Sequence, residues 1–474
     1  MKKSRVFCAF VSFFLVIYMI PSVAFATQES VQHSDDAQPT VSSGLDATVA
    51  YLGNQTLVDN VSAAILYERN TDTLMYMQNP DQKIYPSSLV KILTAFIATE
   101  EGKLEDVVTV REEVLNTVPY DAVTVELVAG EQMTLDDLLY CMMVGSGNDA
   151  AAVIADYICG SQPAFVEKMN SYAQRLGCTN SQFTNVHGLH DDSQFTTVRD
   201  MAKIIAAAMS NEHFVRYYTA PDCTVRATNQ SEERYFSSGN FLISSDDVSI
   251  YYDERATGGR TGIANDGTRC FAANAESNDM ELICVLAGAV STFAENGNTV
   301  VYGGFKEATM LFDAGLNGYK AAQVLFDGQA VRQVSVINGA NDVVLGCRST
   351  VSAILPTDIS RENLQYRYVD DYESLSAPVE MGSKISNVQI WYGGICIAQA
   401  DLYAMNAVQS KMIQQPETGG SVFGVVLLVF FGAVLFLVLG AAVCLVSIRI
   451  YYKIRHMNKA GHSKRYRRYR RRSR

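Results

Sequence analysis

The stretch Ile84-Tyr85-Pro86-Ser87-Ser88-Leu89-Val90-Lys91 sets two hydroxyls and one amine within a single helical turn of each other. Residues three and four apart share a helix face, so Lys91 reaches back to Ser88 or to Ser87, and spacing leaves both open. Leu89, Val90, Ile92, Leu93, Phe96 and Ile97 cover nearly the whole circumference. The helix is therefore expected at the centre of a domain, with Lys91 poorly solvated. Burial penalises the ammonium form, and a neutral amine can take a hydroxyl proton. A serine in the first turn also has the positive end of the helix dipole beside it, which favours an oxyanion. The same tetrapeptide is equally compatible with a serine N-cap and a lysine that snorkels to solvent.

Two further stretches carry related groups. In Val144-Gly145-Ser146-Gly147-Asn148-Asp149 a tight loop between two helices offers a hydroxyl and an amide. By itself this is also a turn with Asn148 as helix cap. It is not a G-x-S-x-G nucleophile elbow, because Val144 and Asn148 hold the outer positions. In Gly259-Arg260-Thr261-Gly262 a cation, a hydroxyl and a glycine precede a strand hairpin. Such a set can hold a carboxylate while backbone approaches a ligand closely, and is also compatible with a surface turn.

These groups need a scaffold. Residues 61–68 and 73–78 flank the turn Arg69-Asn70-Thr71-Asp72, a hairpin signal. Helical patterns follow over 87–100, 135–143, 149–158, 163–176 and 197–209. Thr134 and Asp137 form a capping-box-like pair, Ser161-Gln162-Pro163 opens a helix, and Gly145, Gly160 and Gly177 close three. Strand patterns return at 268–275 and 280–289, and 305–315 reads as helix. A large unit over residues 58–318 thus has strands at both sequence ends and helices between. That order predicts one sheet built from both ends, carrying a helical layer and subdomain. Residues 330–405 read almost wholly as strand and turn, a second small β domain.

Taken in order, Ser-x-x-Lys, Ser-x-Asn and basic-Thr-Gly resemble the three signatures of penicillin-binding proteins and serine β-lactamases. Residues 85–100, 128–151, 164–189 and 197–204 look like consecutive segments of the serine-type D-alanyl-D-alanine carboxypeptidases, the low-molecular-mass penicillin-binding proteins. Residues 376–391 are similar to that family's C-terminal β domain. The resemblance implies an α/β (α+β) penicillin-binding and β-lactamase-like transpeptidase fold with a helical subdomain and a small all-β domain, to which the apolar composition of residues 421–448 adds a C-terminal transmembrane helix.

The family's motif has proline, a small residue and then the nucleophile, which assigns Ser88 as nucleophile and Lys91 as acylation base. Ser146 would relay protons near Lys91, and Asn148 would hold the substrate's peptide backbone. Arg260, Thr261 and Gly262 would bind the terminal carboxylate, and the N–H groups of Ser88 and Ile263 would form the oxyanion hole. The implied partners are peptidoglycan stem peptides ending in D-Ala-D-Ala and β-lactam antibiotics. Two positions depart from the pattern: the third motif usually begins with lysine and here with Arg260, and a common threonine is replaced by Ala264. A planar guanidinium does not readily shuttle protons, so Arg260→Lys is expected to preserve or raise activity. No cofactor is implied. His187, His190, Asp191 and Asp192 lack the H-E-x-x-H spacing of a zinc site, and no metal is assigned.

The ends of the chain set its address. Residues 1–26 have a basic start, an apolar stretch and the site Ala24-Phe25-Ala26, the layout of a cleavable secretory signal. Residues 27–57 read as a flexible leader and 406–420 as a stalk. Residues 421–448 hold no charged residue and suffice to span a membrane, while 449–474 carry twelve Lys or Arg and no acid. The positive-inside rule puts that tail in the cytoplasm and the bulk of the chain outside the cytoplasmic membrane. With three further basic residues in the first 26, the intervening chain holds 23 basic residues against all 50 acids, a net −27. That charge excludes nucleic-acid binding by electrostatics. Eight of the ten cysteines lie there, scattered and without C-x-x-C, so buried thiols are as compatible as disulfides. A β-lactamase, a transpeptidase or endopeptidase, and a non-catalytic wall-binding or signalling homologue are the alternatives to a carboxypeptidase.

Overall fold

The computed structural model of the chain describes residues 44–53, 55–244, 250–293, 300–370, 373–411 and 422–469, the last with side chains over 426–453. The expected signal peptide, the leader up to residue 43, the stalk from 412 and the final five residues of the tail lie outside the described residues. The chain forms two compact units. One runs to Gln329 and includes Cys347–Asp371 and Ser386–Leu402; the other comprises Ala330–Gly346, Tyr372–Ile385 and the chain from Tyr403.

In the first unit, β1 (Ala63–Glu68) and β2 (Thr73–Gln78) form the expected hairpin. The helices that follow are α1 (Val90–Glu101), α2 (Leu135–Met143), α3 (Asn148–Cys159), α4 (Gln162–Arg175), α5 (Val198–Ala208) and α6 (Glu212–Tyr218). Then come β3 (Ala256–Ile263), β4 (Arg269–Ser277), β5 (Met280–Ala289) and α7 (Phe305–Leu316). The five strands make one antiparallel sheet in the order β2-β1-β5-β4-β3, so the first and last of these five in sequence pair with each other inside it.

Side-chain alternation explains the layers. Along β1, Ala63, Ile65 and Tyr67 enter the core beneath α1 and α5, while Ala64 and Leu66 enter a second core beneath α7. Every residue of β1 is buried, as a strand with helices on both faces requires. Helix α1 is buried over ten of its twelve residues, Lys91 among them, which agrees with its all-round apolar sequence. The caps are local: Thr134 Oγ1 accepts from the Asp137 N–H at 3.1 Å, and Gly160 ends α3 at φ 73°.

The leader expected through residue 57 differs where it is described. Leu45, Ala47 and Ala50 are buried, and the N–H groups of Tyr51 and Leu52 donate to the carbonyls of Leu74 and Met75 at 2.8 and 2.9 Å. An edge strand such as β2 leaves backbone groups unpaired, and this segment satisfies two of them. Short α6 and two small hairpins, Val107–Thr109 with Gln132–Thr134 and Asp222–Val225 with Arg234–Ser237, also escape the sequence pattern.

After α7 the first unit adds β6 (Tyr319–Leu325), which pairs with Val351–Pro356, and Gln365–Tyr368, which pairs with residues 388–391. In the second unit Ala330–Ile337 pairs antiparallel with Val343–Gly346 and parallel with Ser374–Ser376. Its last helix, Val422–Tyr469, contains the stretch Val426–Lys453, which is long and apolar enough to cross a membrane. Among the described residues the eight cysteines outside that helix are free thiols, and burial pushes the Cys178, Cys223 and Cys270 thiols up to about 12.

Candidate active site

Five segments distant in sequence meet at one cleft of about 330 Å³: the turn before α1, residues 121–123, the loop between α2 and α3, the loop after α4, and the hairpin that joins β3 to β4. Ser87–Leu89 form a 3-10 turn rather than the first turn of the α-helix, which begins at Val90. Ser87 and Ser146 hold φ of 48° and 61°, the left-handed region that non-glycine residues rarely enter. Each such residue costs on the order of 1–3 kcal/mol and persists only where surrounding structure imposes it.

The two serines separate by partner. Ser88 Oγ lies 3.3 Å from Lys91 Nζ, while Ser87 Oγ donates to the carbonyl oxygen of Ile263 at 2.7 Å. Lys91 is fully buried, and its Nζ also donates to Asn148 Oδ1 and to the His187 carbonyl, both at 2.7 Å. Burial holds the Lys91 pKa well below its ordinary value; the Arg260 charge adds to the effect and Asp149 opposes it. A neutral amine has two N–H donors and one lone pair. With both donors directed at strong acceptors, the lone pair is left for the Ser88 hydroxyl.

The supporting groups are themselves held. Asn148 uses its side-chain oxygen on Lys91 and one amide N–H on the Val123 carbonyl at 2.9 Å, which leaves one N–H for a ligand. Asp149 accepts from the N–H groups of Val125, Leu127 and Ala150, fixing the loop beneath the cleft. The His187 carbonyl is aimed by Asn185, whose Oδ1 accepts from Gly188 N–H at 2.7 Å and whose Nδ2 donates to the Leu189 carbonyl. Burial and then Lys91 lower the His187 pKa to about 4, so its ring is neutral in ordinary buffers. The His187–Asp192 stretch thus supplies a carbonyl to the lysine, and no group of side chains fit to hold a metal occurs among the described residues.

Arg260 departs from expectation. It is 5 % exposed and absent from the cleft wall. Its Nε donates to the Ser88 carbonyl at 2.8 Å, one terminal nitrogen to the Met143 carbonyl, and the other to Ser146 Oγ at 2.9 Å. Burial lowers its pKa to about 10, which leaves it cationic at neutral pH. Each guanidinium nitrogen is directed at a protein acceptor, so this cation organises the site from within. Ser146 Oγ thus accepts from Arg260, while Asn148 and His187 supply the strong acceptors for Lys91.

Thr261, Gly262 and Ile263 do line the cleft. A Cβ at Gly262 would stand 2.8 Å from the Ser88 nitrogen and 3.0 Å from Ser87 Cβ and Oγ, so only glycine lets β3 lie this close to the turn. At Gly188, with φ 88°, a Cβ would fall 1.9 Å from the Ser87 carbonyl oxygen. Sequence reasoning missed Gly188 and the His187 carbonyl; a glycine inside an otherwise polar loop was the available signal. It also missed Arg269, which lines the cleft from β4 and whose type alone did not distinguish it.

Comparison with known proteins identifies the family. The family described as D-alanyl-D-alanine carboxypeptidase matches residues 54–291, and the family described as penicillin-binding protein 5, C-terminal domain, matches residues 319–410. The D-alanyl-D-alanine carboxypeptidase DacA of Haemophilus influenzae is 32% identical over 352 residues, 73% of this chain and 84% of that protein. DacC of Escherichia coli is 28% identical, covering 77% of this chain and 89% of its own length. The crystal structure of penicillin binding protein 5 from Haemophilus influenzae superposes with a TM-score of 0.63 at 28% identity, covering 76% of this chain and all of that one.

Proposed function

The chain belongs to the D-alanyl-D-alanine carboxypeptidase family, a family of serine peptidases, and from that premise we propose how its residues work and where. The substrate is a peptidoglycan stem peptide ending in D-Ala-D-Ala. Ser88 attacks the carbonyl carbon between the two D-alanines while its proton passes to Lys91 Nζ. The developing oxyanion is met by the N–H groups of Ser88 and Ile263, and the Asn148 N–H not used by Val123 holds the peptide backbone. Collapse of the tetrahedral intermediate breaks the amide bond, and the departing amine of D-alanine takes the proton back. Water then attacks the Ser88 ester while Lys91 takes its proton; collapse breaks the bond from Ser88 Oγ to the acyl carbon, Lys91 returns the proton to Oγ, and the shortened peptide leaves. A stem peptide so trimmed has lost the donor residue for cross-linking. Penicillins acylate Ser88 through the same first step.

The observation that carries this reading is the pairing of Lys91. Its Nζ donates to two fixed acceptors at 2.7 Å and lies 3.3 Å from Ser88 Oγ, so once the amine is neutral those two bonds use both its N–H groups and the lone pair faces the Ser88 hydroxyl. A purely structural lysine would have no reason to be stripped of water beside a serine on the wall of a cleft. The helix Val426–Lys453 is read as the anchor of an exported protein. Residues 1–26 direct export, the unit carrying Ser88 works outside the cytoplasmic membrane, and the basic tail stays in the cytoplasm.

The test is labelled penicillin added to the full-length protein in detergent. A covalent adduct is expected on the wild type and none on Ser88→Ala. An adduct that survives Ser88→Ala and disappears in Ser87→Ala would overturn the assignment. Release of D-alanine from D-Ala-D-Ala peptides, set against turnover of penicillin, separates a carboxypeptidase from a β-lactamase.

A further inference from the structure

Arg269 opens β4 directly opposite Ile263 on β3, and Thr261 is the diagonal neighbour two residues along the same face. Its side chain is half-buried and lines the cleft. The guanidinium carbon sits 4.6 Å from the centre of the Tyr302 ring, and one terminal N–H donates to Thr261 Oγ1 at 3.4 Å. Among the described residues no carboxylate lies within ion-pair distance of Arg269.

A peptide that loses its last residue carries a carboxylate one residue beyond the bond being cut, about 3.8 Å along the chain from one Cα to the next. The cation that reads it must therefore lie beside the oxyanion site, on the wall of the cleft. Arg260 fails that requirement, being buried with its nitrogens directed at Ser88, Met143 and Ser146. Arg269 meets it. It is paired in register with Ile263, its fork matches a carboxylate, and stacking on Tyr302 limits the rotamer entropy lost on binding.

We propose that Arg269, together with the hydroxyl of Thr261, recognises the C-terminal carboxylate of the substrate, and that Arg260 positions the catalytic turn from inside. The inference rests on the carboxypeptidase reading and assigns the residue that makes it a carboxypeptidase.

Two peptides test it on the full-length protein in detergent: one ending in D-Ala-D-Ala, the other its C-terminal amide. The wild type is expected to favour the acid. Arg269→Gln is expected to lower the acid-to-amide ratio of kcat/KM about 10–100-fold, the loss of a charge-assisted bidentate contact, with Arg269→Lys between the two. A second measurement needs no substitution at Arg269. In the Ser88→Ala protein the acid peptide is expected to protect Arg269 from phenylglyoxal, read by peptide mapping, and the amide is not. A wild-type ratio retained in Arg269→Gln, or equal protection by acid and amide, would overturn the inference. If the wild type cleaves neither peptide, the carboxypeptidase reading falls and takes this inference with it.

Discussion

Ser87 donates its hydroxyl to the carbonyl oxygen of Ile263 at 2.7 Å, tying the turn that bears Ser88 to the strand on the opposite wall of the cleft. The two N–H groups proposed for the oxyanion hole belong to those two pieces of chain, so this bond sets the width between them. Ser87→Ala removes it without touching Ser88 or Lys91. One such bond is worth about 1 kcal/mol, so acylation by penicillin is expected to slow roughly 5-fold while an adduct still forms. Stopped-flow acylation checks this; an unchanged rate would show that β3 is held by other contacts.

Lys91 sets the pH dependence. Its folded-state pKa lies well below the ordinary value, so the amine is neutral, and competent as a base, above that folded value. Acylation is expected to fall as pH drops through it, and Lys91→Met to lose about 10²–10⁴-fold above it, a loss that shrinks below it. Stability carries the same sign. Between the folded and unfolded values the unfolded chain binds the extra proton, so this lysine's contribution to stability improves as pH rises across that window. The melting-temperature advantage of Lys91→Met over wild type should therefore shrink with rising pH. A difference that stays flat would mean that the lysine is charged in the folded protein.

Arg260→Lys, which motif comparison marks as harmless, is expected to be damaging. Three guanidinium nitrogens serve three acceptors, the carbonyls of Ser88 and Met143 and the hydroxyl of Ser146, from a rigid plane. An ammonium donates from a single point on a shorter reach. Each buried acceptor left unpaired costs about 1–3 kcal/mol. A fall in melting temperature and a loss of acylation of about 10-fold or more should appear together. Retention of both would show that the site accommodates either cation.

Gly262→Ala should separate folding from chemistry. The added methyl meets the Ser88 nitrogen at 2.8 Å, where backbone rather than a flexible side chain must yield. The end of β3 is expected to move outward and the oxyanion donors to spread. Loss of one such donor costs about 10²–10³-fold in other enzymes of this mechanistic type. Acylation kinetics and circular dichroism on the same sample decide whether the loss occurs in a folded protein.

Residue type and spacing alone determined the elements that carry the chemistry. Apolar residues on every side of Lys91 announced a central helix, and turn and cap residues marked the hairpin of β1 and β2 and the helices around Ser146. Motif order then named Ser88, Ser146 and Arg260. Those signals are local, read within a few residues of the chain. What each side chain touches is a property of segments up to 176 residues apart, and only the tertiary structure decided it. Packing turned Ser87 toward Ile263 and Ser88 toward Lys91, which helix spacing had left equivalent. It drew the His187 carbonyl to Lys91, where no side-chain pattern could reveal a backbone acceptor. It also buried Arg260 and left Arg269 on the cleft wall, because register across β3 and β4, not residue identity, determines which arginine meets solvent.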